Sequence, residues 1–157
     1  MILQAEAPMG LKDETELLQA IPLFTHIDAS KLKLLAFTSE MLTFAEGEAL
    51  FERGNLGDFV YVIVHRTADV LIETSTGSLL LATLDEHDVV GEVAVLCNLP
   101  RTATVRASTE LKTLRITKDF FSEIVFEFPQ VAVEIMRRIA LRLEKTTCRL
   151  SQAVAVG

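Results

Sequence analysis

The apolar period of this chain changes twice, and that order limits the folds open to it. Between Asp13 and Phe37 the apolar residues Leu17, Leu18, Ile21, Phe24 and Ile27 recur at helical spacing, interrupted at Pro22. Asp28-Ala29-Ser30 then precedes Leu32, Leu34 and Leu35, so Asp28 or Ser30 is placed to cap a short helix. From Met41 the segments become short and are broken by Glu46-Gly47-Glu48 and Arg53-Gly54-Asn55. The run Phe59 to Val64 is β-branched and aromatic, which predicts a buried strand. Further strands are expected at 69–73, 79–84, 102–107 and 111–116. From Lys118 the period is helical again, with one helix over 118–126, a break at Phe128-Pro129 and a longer helix over 130–152. The expected class is therefore α+β. Seven or eight short strands with turn residues between them span 40–117, which indicates a barrel, roll or sandwich. N-terminal helices (13–37) and two C-terminal helices (118–152) flank it, and residues 1–12 read as a frayed leader.

The 157 residues suit one domain with one good core. The formal net charge of −7 gives no overall attraction for DNA or anionic lipid, so a bound anion needs a local set of donors. Cys97 and Cys148 have neither CxxC spacing nor a His partner, which reads as two reduced thiols in a cytoplasmic protein. No apolar run approaches the ~20 residues of a membrane span, and Met1 to Gly10 lacks the pattern of a signal peptide. Nine Phe against one Tyr and no Trp point to aromatic side chains in the interior rather than on a stacking platform. On the last helix Met136, Leu143 and Leu150 lie seven apart, with Ala140, Thr147 and Val154 at the complementary offset. That stripe suits packing on the roll or on a second copy, and a homodimer is expected. Arg137, Arg138, Arg142 and Lys145 read as a solvated basic face with Glu134 and Glu144 as partners.

Residues 88–107, DVVGEVAVLCNLPRTATVRA, hold the most specific pattern. Gly91 ends an apolar strand and opens a short helical stretch, Glu92 to Leu96. A glycine there lets the backbone approach a ligand, and a helix start offers free N–H donors to an anion. Asn98-Leu99-Pro100 turns the chain and brings Arg101 back to the next strand. Arg is the side chain best shaped to grip a phosphate at two points. Glu92 only accepts hydrogen bonds, so it calls for a hydroxyl donor. Together these groups fit a phosphate beside a sugar hydroxyl.

The string Gly-Glu-x-Ala-x-Leu followed by x-Asn-x-Pro-Arg-Thr-Ala-Thr-Val resembles the phosphate-binding cassette of the cyclic-nucleotide-binding domain family. Leu50 to Ile63, with Gly54 and Gly57 in the turn, is similar to that family's early strand–turn–strand, and the likeness extends over residues 15–150. The resemblance implies an antiparallel β-roll of about eight strands, of the double-stranded jelly-roll type, over 40–117, with a cassette at 90–107 in which Gly91 and the backbone after it, including Val93, meet the sugar–phosphate. Glu92 would accept from the ribose 2′-hydroxyl and Arg101 would neutralise the cyclic phosphate. Thr102 would add a hydroxyl contact and Ala103 a backbone donor, while Thr146 and Thr147 would read the base from the long helix. The implied ligand is cyclic AMP ahead of cyclic GMP, with no further cofactor. One departure is visible: the turn after Val64 reads His65-Arg66-Thr67-Ala68, where the family usually has a Gly.

Other classes fit less well. A cupin-like metalloenzyme needs clustered His and Glu, but His26, His65 and His87 are scattered, and no Ser sits in a nucleophile turn. The expectation is a sensor without catalysis that signals to an unknown downstream protein through its C-terminal helices. It neither binds nucleic acid directly nor sits in a membrane. Two alternatives remain: a transcription regulator of the catabolite activator type without its DNA-binding domain, and an interaction module of the same fold that has lost its ligand.

Overall fold

The computed structural model describes residues 4–5 and 11–156. Most of the expected leader lies outside them, but Gln4–Ala5 form a strand (β1) that pairs antiparallel with Leu42 and Thr43, so this part of the leader is built into a sheet. Two N-terminal helices follow, α1 (Leu11–Gln19) and α2 (Ala29–Thr38), with a 3-10 turn at Pro22–Phe24 where the helical period was interrupted. The Asp28 carboxylate caps α2 by accepting from the Ser30 amide at 2.8 Å.

Eight more strands build two antiparallel sheets: β2 (Glu40–Phe44), β3 (Ala49–Phe51), β4 (Phe59–His65), β5 (Ala68–Thr74), β6 (Gly77–Leu84), β7 (Val89–Val90), β8 (Thr104–Ala107) and β9 (Leu111–Thr117). One sheet runs β1-β2-β9-β4-β7 and the other β3-β8-β5-β6. Helix α3 (Glu92–Cys97) sits between β7 and β8, and α4 (Lys118–Glu127) and α5 (Pro129–Val156) close the chain. This is the expected α+β roll flanked by helices at both ends. Helix α5 starts at Pro129, whose missing N–H costs nothing at a first helical position, and Phe128 before it is extended.

Strand β4 explains why its sequence is apolar throughout. Val60 and Val62 face the helices, in a cluster with Leu18, Phe24, Leu35, Phe121 and Val131. Tyr61 and Ile63 face the roll interior, with Phe44, Leu50, Val90, Val105 and Leu111. Successive side chains point to opposite faces of a strand, and here both faces are covered. Each large side chain buried this way contributes about 1.5–3 kcal/mol. Not every aromatic is interior, however: Phe37 on α2 is 77% exposed and Phe126 on α4 is 87% exposed.

The turn that lacks glycine carries its cost openly. Arg66 occupies the left-handed region at φ 76°. The side chain of Glu86 ties this turn to the loop before β7, through His65 Nδ1 at 3.1 Å. A Cβ in that region costs roughly 1–2 kcal/mol, against about 0.5–1 kcal/mol for the looser unfolded chain that a glycine brings. Arg66→Gly is therefore expected to raise stability by about 0.5–1 kcal/mol. Urea unfolding should show a higher midpoint at unchanged slope; a lower midpoint would contradict this account of the turn.

Candidate functional site

Strand β7 is two residues long and delivers the chain to Gly91, which takes φ 94° and ψ 3°. A side chain here is excluded twice. The backbone conformation disfavours it, and a Cβ would lie 2.4 Å from Arg101 Nη1. Gly91 thus makes the room in which the guanidinium lies. The helix that follows, α3, ends at Asn98, which also takes a left-handed conformation (φ 53°). The Asn98 side-chain carbonyl accepts from Lys118 Nζ, tying the end of α3 to the start of α4.

The return through Leu99-Pro100 sets Arg101 down at a fixed point. Its amide donates to the Asn55 carbonyl at 2.8 Å, and its own carbonyl accepts from the Gly54 amide at 2.9 Å. The turn at 53–55 is thus what registers Arg101. The side chain is buried, with 4% exposure. Nη1 donates to the Gly91 carbonyl at 2.9 Å and Nη2 to the Phe59 carbonyl at 2.5 Å. The guanidinium lies 4.0 Å over the Phe51 ring. Its Nε is buried with no hydrogen-bond partner. Burial pulls the guanidinium below its ordinary range, and the negative groups near it, Tyr61 when ionised, Asp58 and Glu92, pull the other way.

Glu92 is 3% exposed. Its Oε1 accepts from Arg142 Nη1 of α5 at 3.0 Å, while Oε2 is buried without a partner. So the segment from Gly91 to Ala103 carries one orphaned donor and one orphaned acceptor, and both residues line the same cavity of about 280 Å³. The cavity has three kinds of wall. Gly91, Glu92, Val93, Arg101, Thr102 and Ala103 form its polar end. Phe51, Val70, Ile72, Leu81, Ala82 and Val105, all from the β3-β8-β5-β6 sheet, form an apolar wall. Arg142 and Thr146 of α5 cover it.

Of the residues picked out in the sequence, Gly91, Glu92, Val93, Arg101, Thr102, Ala103 and Thr146 therefore meet at one cavity. Thr147 does not. It is exposed, on the side of α5 that carries the stripe of Met136, Leu143 and Leu150. Strand β8 begins at Thr104 rather than Thr102, because Arg101 to Ala103 are spent on the cavity wall in irregular backbone. Arg106 lies away from the cavity, over a hollow lined by Glu46, Glu48 and Glu52.

The basic face of α5 is not uniformly solvated. Arg137 pairs with Glu134, and Arg138 reaches both Glu134 and Asp88, but Arg142 pairs with the cavity's own carboxylate. The signal for Arg142 was its position four residues before Thr146, since side chains at i and i+4 share a helix face. The apolar wall was harder to see, because alternation marks Val70, Ile72, Leu81 and Val105 only as core. Among the described residues no group of three or more His, Cys, Asp and Glu is placed to hold a metal ion, and no helix is long and apolar enough to cross a membrane.

Comparison with known proteins agrees with this geometry. The family model for the cyclic nucleotide-binding domain matches residues 41–128. A cAMP-dependent protein kinase regulatory subunit of Yarrowia lipolytica is 32% identical over 108 residues, covering 69% of this chain and 28% of the relative. A CRP-like cAMP-activated global transcriptional regulator of Mycobacterium tuberculosis is 23% identical over 140 residues, covering 88% of this chain and 62% of the relative. The chain thus spans less than two thirds of the length of either. Among solved structures, the regulatory domain of Toxoplasma gondii PKA with cAMP superposes with a TM-score of 0.74 at 17% identity, over 83% of this chain and 50% of that one. The N-terminal domain of a transcriptional regulator from Streptomyces coelicolor is 30% identical with a TM-score of 0.63, over 85% of this chain and 94% of that one. With the family model matching residues 41–128, more than half of its length, the chain belongs to the cyclic nucleotide-binding domain family.

Proposed function

We propose that this chain is a cyclic-nucleotide sensor module with no catalytic step, that cyclic AMP is its ligand ahead of cyclic GMP, and that its output is the position of α4 and α5. The observation that carries the reading is the pair of orphans in one cavity, Arg101 Nε and Glu92 Oε2. A buried donor and a buried acceptor without partners each cost about 1–3 kcal/mol. A ligand that presents an anionic oxygen to the first and a hydroxyl to the second removes both costs, and a cyclic phosphate fused to a ribose does so from one rigid ring. The free N–H groups that open α3 after Gly91 would add donors to the same phosphate. The apolar wall suits a base, with Thr146 as the polar group facing it from α5.

The binding step has a built-in competitor. Arg142 holds Glu92 at 3.0 Å. A ribose hydroxyl arriving at Glu92 must share that carboxylate or displace the guanidinium. Either way it acts on α5 directly, and it shifts the helix only by the difference in its affinity for the two arrangements. The relatives named for cAMP support the choice of ligand.

The second element of the reading is a homodimer through α5. Val133, Met136, Ala140, Leu143, Thr147, Leu150 and Val154 are all exposed and follow one another at spacings of three and four. That is the seam of a two-stranded coiled coil, with Thr147 as a polar layer able to fix its register. The reading also places the protein in the cytoplasm, where a nucleotide signal and two free cysteines, Cys97 and Cys148, are both at home.

Two outcomes are expected. Arg101→Ala should weaken cyclic AMP at least ~10-fold by calorimetry, since a charge-assisted bond of about 1.5–3 kcal/mol is lost. Unchanged affinity would remove Arg101 from the site. In sedimentation the chain should run as a dimer at micromolar concentration and Leu143→Lys as a monomer; a wild-type chain that stays monomeric with and without cyclic AMP would defeat the seam.

A further inference from the structure

Helix α5 is anchored in two different ways along its length. Its inward face runs Val131, Ile135, Ile139, Arg142, Thr146, Arg149, at spacings that keep all six on one side. Val131 is fully buried, Ile135 is 4% exposed, and both belong to the core, with Ile139 packed against it. From Ala140 to Gln152 no side chain of α5 is buried. The inward face turns polar where the helix leaves the core and passes over the cavity. Apolar burial, which fixes most helices in place, therefore stops at the cavity mouth.

Beyond that point two guanidinium contacts tie the helix to the roll. Arg142 pairs with Glu92, and Arg149 Nη1 donates to the backbone carbonyl of Leu81 on β6. The two are not equivalent. Glu92 is the carboxylate that a ribose would claim, so its contact with Arg142 is open to competition. The Leu81 carbonyl belongs to the main chain of a strand whose side chain walls the cavity, and no ligand group needs it. Strand β6 is also the edge of its sheet, and Leu81 falls at the irregularity between Leu80 and Ala82 where it has no partner on β5.

We propose that Arg149 is a positioning residue for the bound nucleotide: its contact with the Leu81 carbonyl holds the distal half of α5 over the cavity while the ligand occupies Glu92. The role rests on the cyclic-nucleotide reading; the contact itself does not. The distal half of α5 must lift from Leu81 before the ligand can leave, so Arg149 acts on retention.

The test has two arms on the full 157-residue chain. In the ligand-free protein, hydrogen exchange of amides 140–152 should become about 3-fold faster or more in Arg149→Ala. The amides of the roll should keep their wild-type rates. Arg149→Lys, which keeps a cationic donor, should restore much of the protection, and Leu141→Ala, an exposed neighbour, should change nothing. Unchanged exchange in Arg149→Ala overturns the clasp whatever the ligand. In the second arm, stopped-flow release of cyclic AMP should be about 5-fold faster in Arg149→Ala, the size expected for one exposed charge-assisted bond, with association no slower than in the wild type. An unchanged release rate, or a loss confined to association, overturns the role in retention. If the wild-type chain binds no cyclic nucleotide, the reading of the site and this role fall together, and exchange alone decides whether the clasp exists.

Discussion

A guanidinium buried in the wall of a β-roll cavity, held by backbone carbonyls and not by a carboxylate ion pair, is the constraint on which this structure turns. Arg101 is kept charged by the carbonyls of Gly91 and Phe59 and by the face of Phe51. Taking an ion out of water costs several kcal/mol even after relaxation, and two carbonyl dipoles and a ring return only part of that. Much of the local architecture follows from this demand. Gly91 has no side chain because the guanidinium fills that space. The turn at 53–55 clamps the Arg101 backbone on both sides. Gly57 lets its loop approach α3 so closely that a Cβ would lie 2.8 Å from that of Ala94. Such an arrangement is stable enough to fold yet poised to gain from an anion.

The second organising feature is the division of labour on α5. One face anchors the helix to the core through Val131 and Ile135 and then covers the cavity through Arg142 and Thr146. The adjacent face carries an exposed apolar stripe from Met136 to Val154. A change in how the first face sits on the cavity must move the second. In the function proposed above, that would give a ligand a mechanical route to whatever reads the helix, without any chain of coupled residues through the core. Coupling of this kind needs two arrangements of one element that the ligand weighs differently. The Glu92–Arg142 pair is the contact through which that weighing would occur.

The fold was legible where the hydrophobic period was unambiguous. The run Phe59 to Val64 announced a strand covered on both faces, and Pro22 and Pro129 marked the breaks that the structure has. The cassette was legible because its residue types are chemically singular: a glycine that must be a glycine, a carboxylate, and an arginine after a Pro turn. Thr147 shows where such reading fails. A Thr beside another Thr on a helix points about 100° away from it, so only one of the two could face the cavity, and sequence alone did not say which. Arg142 shows the converse. It looked like one of four solvated cations, and only its partner across the fold, fifty residues away, gives it another part. The apolar cavity wall was hidden for a related reason, since a side chain that lines a ligand site and one that fills a core obey the same alternation.

The central claim is that Arg101 and Glu92 together receive a ring phosphate on a ribose. Thermal unfolding in the presence of cyclic AMP, its 2′-deoxy analogue and 5′-AMP tests it most directly, because a ligand that prefers the folded chain raises its stability. At a hundredfold excess over its dissociation constant cyclic AMP should add about 2.7 kcal/mol, or about 5–10 °C for a chain of this size. The 2′-deoxy analogue, with no hydroxyl for Glu92, and 5′-AMP, with an open and doubly charged phosphate, should each give a clearly smaller shift at the same concentration. Equal shifts for all three, or none for cyclic AMP, would contradict the account.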